Sequence, residues 1–143
     1  MSQPSDCPYC PLTADDAAAP PGGWVLRDED WLVQHGPAGA SFAGTLKIIS
    51  RRHYVDFAEQ SPLEAASFGR LLQRLDTAVR EVTGAERVHL VSTRDRVQHF
   101  HAWLYPRAHD AELRGTDYLA APQSSDPADA ERAAARYREL LGT

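Results

Sequence analysis

The chain has 143 residues, 43% of them apolar and 24% charged, ordinary values for one globular domain and foreign to a collagenous, coiled-coil or fully disordered chain. A net charge of −5 argues against a general nucleic-acid binder, and no apolar run reaches the roughly 18 residues of a membrane span. A domain of this length buries about 70% of its unfolded surface, so it needs no disulfide framework to fold. The two cysteines, Cys7 and Cys10, are too few and too close for a secreted staple set. Met1-Ser2-Gln3-Pro4-Ser5-Asp6 has neither the basic nor the apolar region of a signal peptide, so a cytoplasmic location is expected.

Taken in chain order, residues 1–12 contain a tight knuckle, Cys7-Pro8-Tyr9-Cys10-Pro11, whose prolines pre-set the backbone and resist helix. Residues 13–23, ending Pro-Pro-Gly-Gly, lack any apolar period and read as a mobile linker. A core spans 24–107. It opens with two short strands, Trp24 to Arg27 and Trp31 to His35, joined through Asp28-Glu29-Asp30 as a hairpin. After a Gly/Pro/Ala/Ser loop, Thr45 to Ser50 is rich in β-branched residues and reads as a third strand.

Ser61 suits a helix N-cap, Pro62 the first helical position, and Glu64 completes a capping box. Phe68, Leu71, Leu72, Leu75, Val79 and Val82 then recur at helical spacing, and Gly84 supplies the stop. Strands are predicted at Val88 to Val91 and Val97 to Tyr105, separated by a short charged loop. Residues 108–143 turn irregular until Asp126-Pro127 caps a final helix carrying Ala130, Ala134, Tyr137 and Leu141 on one side. The order β-β-β-α-β-β-α predicts an α+β fold with an antiparallel sheet of about five strands.

Cys-Pro-Tyr-Cys has two rival chemistries. A redox pair needs a buried strand before it and an amphipathic helix after it, and neither is present. Half of a tetrahedral metal site needs two further ligands, and histidine is the remaining borderline donor. A bare C-x-x-C also fits a pair of idle reduced thiols.

In the strand Val97 to Tyr105, side chains alternate between faces, so His99, His101, Trp103 and Tyr105 share one face while Phe100, Ala102 and Leu104 share the core face. The two imidazoles lie about 6.5–7 Å apart at the backbone, close enough to serve one site or two adjoining ones. His35, His89 and His109 have no partner in the sequence and read as ordinary polar residues.

This pattern resembles the histidine triad (HIT) superfamily, whose strand carries histidines at alternate positions. The resemblance runs from the cysteine knuckle to Pro106-Arg107 and includes Thr45-Leu46-Lys47-Ile48-Ile49-Ser50-Arg51-Arg52-His53, a strand ending in a basic pair and a histidine. It implies a structural zinc held by Cys7, Cys10, His53 and His99, with no ligand position left open for water. It also implies a nucleophile, His101, that attacks the α-phosphorus of a nucleotide and forms a covalent nucleotidyl-imidazole. The expected partners are a small-molecule nucleotide and a second copy of the chain, with no nucleic acid and no membrane.

Two departures stand out. Trp103 occupies the third histidine position, offering one neutral donor and no acceptor. The loop before the strand has Arg96 where the resemblance leads one to expect Ser or Thr, and an arginine there can clamp a phosphate. Arg96, Gln98 and Trp103 are therefore the candidate substrate-binding residues. Arg94 and Arg96 also fit plain solvated loop charges. A nucleotide hydrolase or transferase is the leading expectation, and a non-catalytic nucleotide-binding module containing zinc is its alternative.

Overall fold

The computed structural model describes residues 6–143. Residues 1–5, which carry most of the segment compared with a signal peptide and the start of the 1–12 knuckle region, lie outside the described residues. The strands are β1 (Trp24–Arg27), β2 (Trp31–His35), β3 (Leu46–Ser50), β4 (Arg87–Val91) and β5 (His101–Arg107), and the helices are α1 (Pro62–Thr83), α2 (Gly115–Ala120) and α3 (Pro127–Leu141). The strands form one sheet in the order β1-β2-β3-β5-β4, with every neighbouring pair antiparallel. The α+β architecture expected from the sequence is the one observed. Among the described residues no helix is long and apolar enough to cross a membrane.

Local chemistry explains the boundaries. The β1–β2 turn is closed by Asp28, whose Oδ1 accepts from the backbone N–H groups of Asp30 and Trp31 at 2.9 and 2.7 Å. At the start of α1, Ser61 Oγ accepts from the Glu64 N–H at 3.0 Å and the Glu64 carboxylate accepts from the Ser61 N–H at 2.8 Å. Gly84 ends the helix at φ 70°, a left-handed conformation that costs glycine little. The buried stripe of α1 (Phe68, Leu71, Leu75, Val79) meets Val33, Ile48, Ala102 and Leu104 from the sheet and Phe100 from the segment just before β5, and α3 adds Ala134 and Tyr137 to the same core.

Gly44 is the tightest junction between these layers. Its φ is 96°, and a Cβ there would collide with Thr83 Cγ2. The bare backbone lets the Tyr137 hydroxyl donate to the Gly44 carbonyl at 2.6 Å, which fastens α3 to the loop before β3. His35 is bonded at both ring nitrogens within this loop: Nδ1–H donates to the Gly36 carbonyl at 2.7 Å, and Nε2 accepts from the Gly44 N–H at 2.8 Å.

Two local expectations need correction. The predicted strand Val97 to Tyr105 begins only at His101 and continues to Arg107. Phe100 still bonds across the chain, its N–H to the Tyr54 carbonyl at 2.6 Å and its carbonyl from the Ser50 N–H at 3.1 Å. His99, however, turns its ring onto the Ser50 carbonyl, and the ladder cannot extend through it. The stretch expected to be irregular up to Asp126 contains the short helix α2, anchored by the Tyr118 hydroxyl donating to the Pro106 carbonyl.

Register sorts the sheet into two faces, because directly opposed residues in antiparallel strands point the same way. Opposite the helical core, one cross-strand row holds Leu32, Ile49 and His101. The adjacent row holds Trp24, Gln34, Lys47, Trp103 and Val91. The cysteine knuckle covers part of this face, with the Tyr9 ring set edge-on to both His99 and His101.

Candidate functional site

The knuckle delivers Cys10 on a single turn of 3-10 helix, Cys10–Thr13, whose Thr13 hydroxyl donates to the Cys10 carbonyl at 2.7 Å. His53 follows the turn after β3, where Ser50 Oγ donates to the Arg52 carbonyl at 2.8 Å and Arg52 pairs with Glu64. His99 arrives on the approach to β5. The structure thus brings Cys7, Cys10, His53 and His99 together, with all four donor atoms within 4.8 Å of one another. Both cysteines are free thiols.

The spacing inside this cluster fits a shared metal ion. Cys7 Sγ lies 3.3 Å from His99 Nδ1, Cys10 Sγ lies 3.3 Å from His53 Nδ1 and 3.6 Å from His99 Nδ1, and the two Nδ1 atoms are 3.1 Å apart. A tetrahedron with metal–nitrogen bonds of about 2.0–2.1 Å and metal–sulfur bonds of about 2.3 Å has edges of roughly 3.3–3.8 Å. Two thiolates and two imidazoles are a donor set suited to zinc.

Outer contacts support the same reading. His99 Nε2–H donates to the Ser50 carbonyl at 2.8 Å, which assigns the lone pair to Nδ1 and aims it into the cluster. Burial, together with the adjacent Cys7 sulfur, pushes the Cys10 thiol up to about 12. Ionising both sulfurs therefore calls for a compensating cation between them.

His101 lies two residues beyond His99 of this cluster and is 7% exposed. Its Nδ1–H donates to the His99 carbonyl at 2.7 Å, while Nε2 has no hydrogen-bond partner among the described residues. Burial holds the imidazole pKa below its ordinary value. The bond to His99 opposes that shift, and the positive charges of Lys47 and Arg94 reinforce it. The His101 carbonyl accepts from Ser92 Oγ at 2.6 Å, and the Arg94 guanidinium in turn donates to the Ser92 oxygens at 2.6 and 2.7 Å. Arg94 adopts φ 56°, an uncommon left-handed conformation for a non-glycine residue, in order to reach back this way.

Two cations flank His101, and the sequence alone points to neither as part of the site. The sequence presents Lys47 only as part of a strand, although a lone lysine at alternate spacing to Ile49 is the available signal. Its ammonium lies 4.8 Å from the Tyr9 ring centroid and 5.1 Å from that of Trp103. Arg94 fits a solvated loop charge by sequence, but in the fold its side chain is only 17% exposed. Arg96 and Gln98 instead line a cleft of about 280 Å³ beside the metal cluster, with Cys7 and His53.

Trp103 lies opposite Lys47 on the ladder and stacks on Tyr105, with centroids 5.8 Å apart at 14°. A second cleft, about 390 Å³, opens from Lys47 past Gln34 and Gly36 to Ala130 and Glu131 of α3. The Gln34 Oε1 has no partner there.

No protein-family model matches the chain, and no curated protein matches it. Solved structures do match. A Hit-like protein involved in cell-cycle regulation from Bartonella henselae superposes with a TM-score of 0.73 at 14% identity, covering 99% of this chain and all of its own. A zinc-bound histidine triad family protein from Mycobacterium smegmatis gives 0.72 at 24% identity, covering 96% of this chain and 94% of its own. A uridylyltransferase gives 0.60 at 22% identity, and the match spans 83% of this chain but 41% of that one. The fold is that of the histidine triad proteins.

Proposed function

We propose that this protein is a nucleotide hydrolase or nucleotidyl transferase that works at an α-phosphate through His101. The observation that carries the reading is the fixed orientation of that ring: Nδ1–H is committed to the His99 carbonyl, so the free lone pair is on Nε2. A positioned neutral imidazole is a competent nucleophile at phosphorus.

In the first step, the Nε2 lone pair forms a bond to the α-phosphorus. The bond from phosphorus to the leaving group breaks, and the leaving group departs with the electron pair and takes a proton from solvent. In the second step, the oxygen of water or of an acceptor phosphate bonds to the phosphorus. The phosphorus–nitrogen bond breaks, its electron pair returns to Nε2, and any proton on the incoming oxygen goes to solvent. Lys47 and Arg94 place positive charge beside the ring throughout.

Cys7, Cys10, His53 and His99 would hold a zinc ion, which supplies structural cross-bracing rather than chemistry because its four ligands are all from the protein. Through the His99 backbone, that brace fixes the support on which His101 rests.

The test is turnover of adenosine phosphoramidate and dinucleoside polyphosphates, with intact-mass detection of a nucleotidyl adduct. Turnover and adduct should both vanish in His101→Ala, and turnover that survives the substitution overturns the reading. The alternative, a binding module without catalysis, is favoured by Trp103 at the third triad position. Calorimetric binding of a nucleotide, with no product from adenosine phosphoramidate or dinucleoside polyphosphates over long incubation, would establish it.

A further inference from the structure

A transferred phosphoryl group carries negative charge on its non-bridging oxygens, and a site for it needs donors or cations placed before the reaction begins. On β5 the side chain two positions after His101 is Trp103, whose indole brings one neutral N–H and no charge. The residue directly opposite Trp103 on β3 is Lys47. Register therefore puts an ammonium on the same face as His101, one strand over and one row along.

Lys47 is not placed as a surface lysine usually is. Its long stem normally lets the amine reach water or a carboxylate. Here the amine lies between two aromatic rings, Tyr9 and Trp103. The nearest polar partner is the Tyr9 hydroxyl at 3.4 Å, beyond the range of a good hydrogen bond. No carboxylate pairs with it among the described residues, and burial alone lowers its pKa. Two ring faces hold a cation by its charge but leave its N–H donors unspent. Lys47 also borders the 390 Å³ cleft, whereas Arg96 opens onto the cleft beside the metal cluster.

We propose that Lys47, clamped between Tyr9 and Trp103, is the phosphate-binding cation of this site and supplies from β3 the contact that position 103 does not supply from β5. The proposal rests on the nucleotide reading of His101. It makes Trp103 a positioning residue, since the indole face holds the ammonium beside the nucleophile. It also defines the ligand class: a nucleotide whose α-phosphate lies between Lys47 and His101 Nε2, in preference to the uncharged nucleoside.

Calorimetry with adenosine and adenosine 5′-monophosphate tests this on the wild-type protein and on Lys47→Gln and Lys47→Arg, with zinc content and circular dichroism confirming an intact knuckle and fold. Wild type should prefer the monophosphate. Lys47→Gln should lose about ten- to a hundredfold in monophosphate affinity, the worth of one charged hydrogen bond, with nucleoside affinity unchanged. Lys47→Arg should recover most of the loss. A Lys47→Gln protein that is folded, zinc-loaded and still prefers the monophosphate overturns the proposal even if His101-dependent turnover is present. A preference that depends on Lys47, without any turnover dependent on His101, overturns the catalytic reading and keeps the phosphate site. Absence of any monophosphate preference in the wild type overturns the proposal, and the catalytic reading then stands or falls on His101-dependent turnover alone.

Discussion

His101 takes its orientation from His99. The Nδ1–H of the second ring donates to the backbone carbonyl of the first at 2.7 Å, while the first ring turns its own Nδ1 into the Cys7-Cys10-His53 cluster. The candidate nucleophile and the candidate metal ligand are thus linked through two residues of backbone, so disturbing one should be felt at the other.

The first prediction concerns the metal. Purified protein should carry about one equivalent of zinc, and Cys10→Ser or His53→Ala should lower both zinc content and melting temperature. Treatment of the wild type with a chelator should reproduce the effect, and zinc alone should reverse it. Elemental analysis paired with thermal melts is the check, and a metal-free wild type of undiminished stability would contradict the site.

The second prediction concerns pH. Burial of Glu64 favours its neutral form, but the Arg52 guanidinium and the Ser61 N–H outweigh burial and hold its carboxyl below the usual range. A folded-state pKa below the unfolded value means that Glu64 stabilises the fold above the unfolded pKa, near 4.3, and that this contribution fades as pH falls through the lower, folded value. Glu64→Gln should therefore be less stable than wild type at pH 7, and the difference should shrink toward pH 3. Denaturant melts across that range measure it.

The third prediction concerns Tyr137, fully buried with its hydroxyl on the Gly44 carbonyl. Tyr137→Phe should cost about 1–2 kcal/mol by leaving that carbonyl without its donor. Gly44→Ala should cost more, because strain at positive φ adds to the collision with Thr83. Chemical denaturation would rank the two, and an equal or reversed order would contradict the geometry.

The fourth prediction concerns Arg94. Ser92→Ala removes the bond to the His101 carbonyl and one contact of the Arg94 guanidinium, which keeps the Ser92 carbonyl and the Asp56 carboxylate. If His101 is the nucleophile, kcat should fall about tenfold or more, with thermal stability nearly unchanged. Arg94→Lys, which keeps charge but not the forked geometry, should fall between wild type and Ser92→Ala.

Local signals in the sequence carried much of the architecture. Ser61, Pro62, Glu64 and Gly84 bounded α1 because caps depend on neighbours a few residues away. Alternation placed His101 and Trp103 on the face opposite Ala102 and Leu104 for the same reason. What stayed hidden depends on distant partners. The strand break at His99 is set by the Ser50 carbonyl, 49 residues away in the chain. The value of Lys47 depends on the rings of Tyr9 and Trp103, which only the folded sheet brings to it. The inward turn of Arg94 follows from a single backbone angle that no residue type announces.

The donor set also has a topological consequence. Cys7 and His99 are 92 residues apart, so an ion gripping both ties off a loop that contains most of the domain. The entropy of such a tie grows only slowly with contour length, yet it penalises every unfolded conformation at once. The apolar core draws on none of the four donors. Stripping the ion should therefore let the knuckle peel away while the sheet and its helices remain assembled, in the manner of a removable clasp.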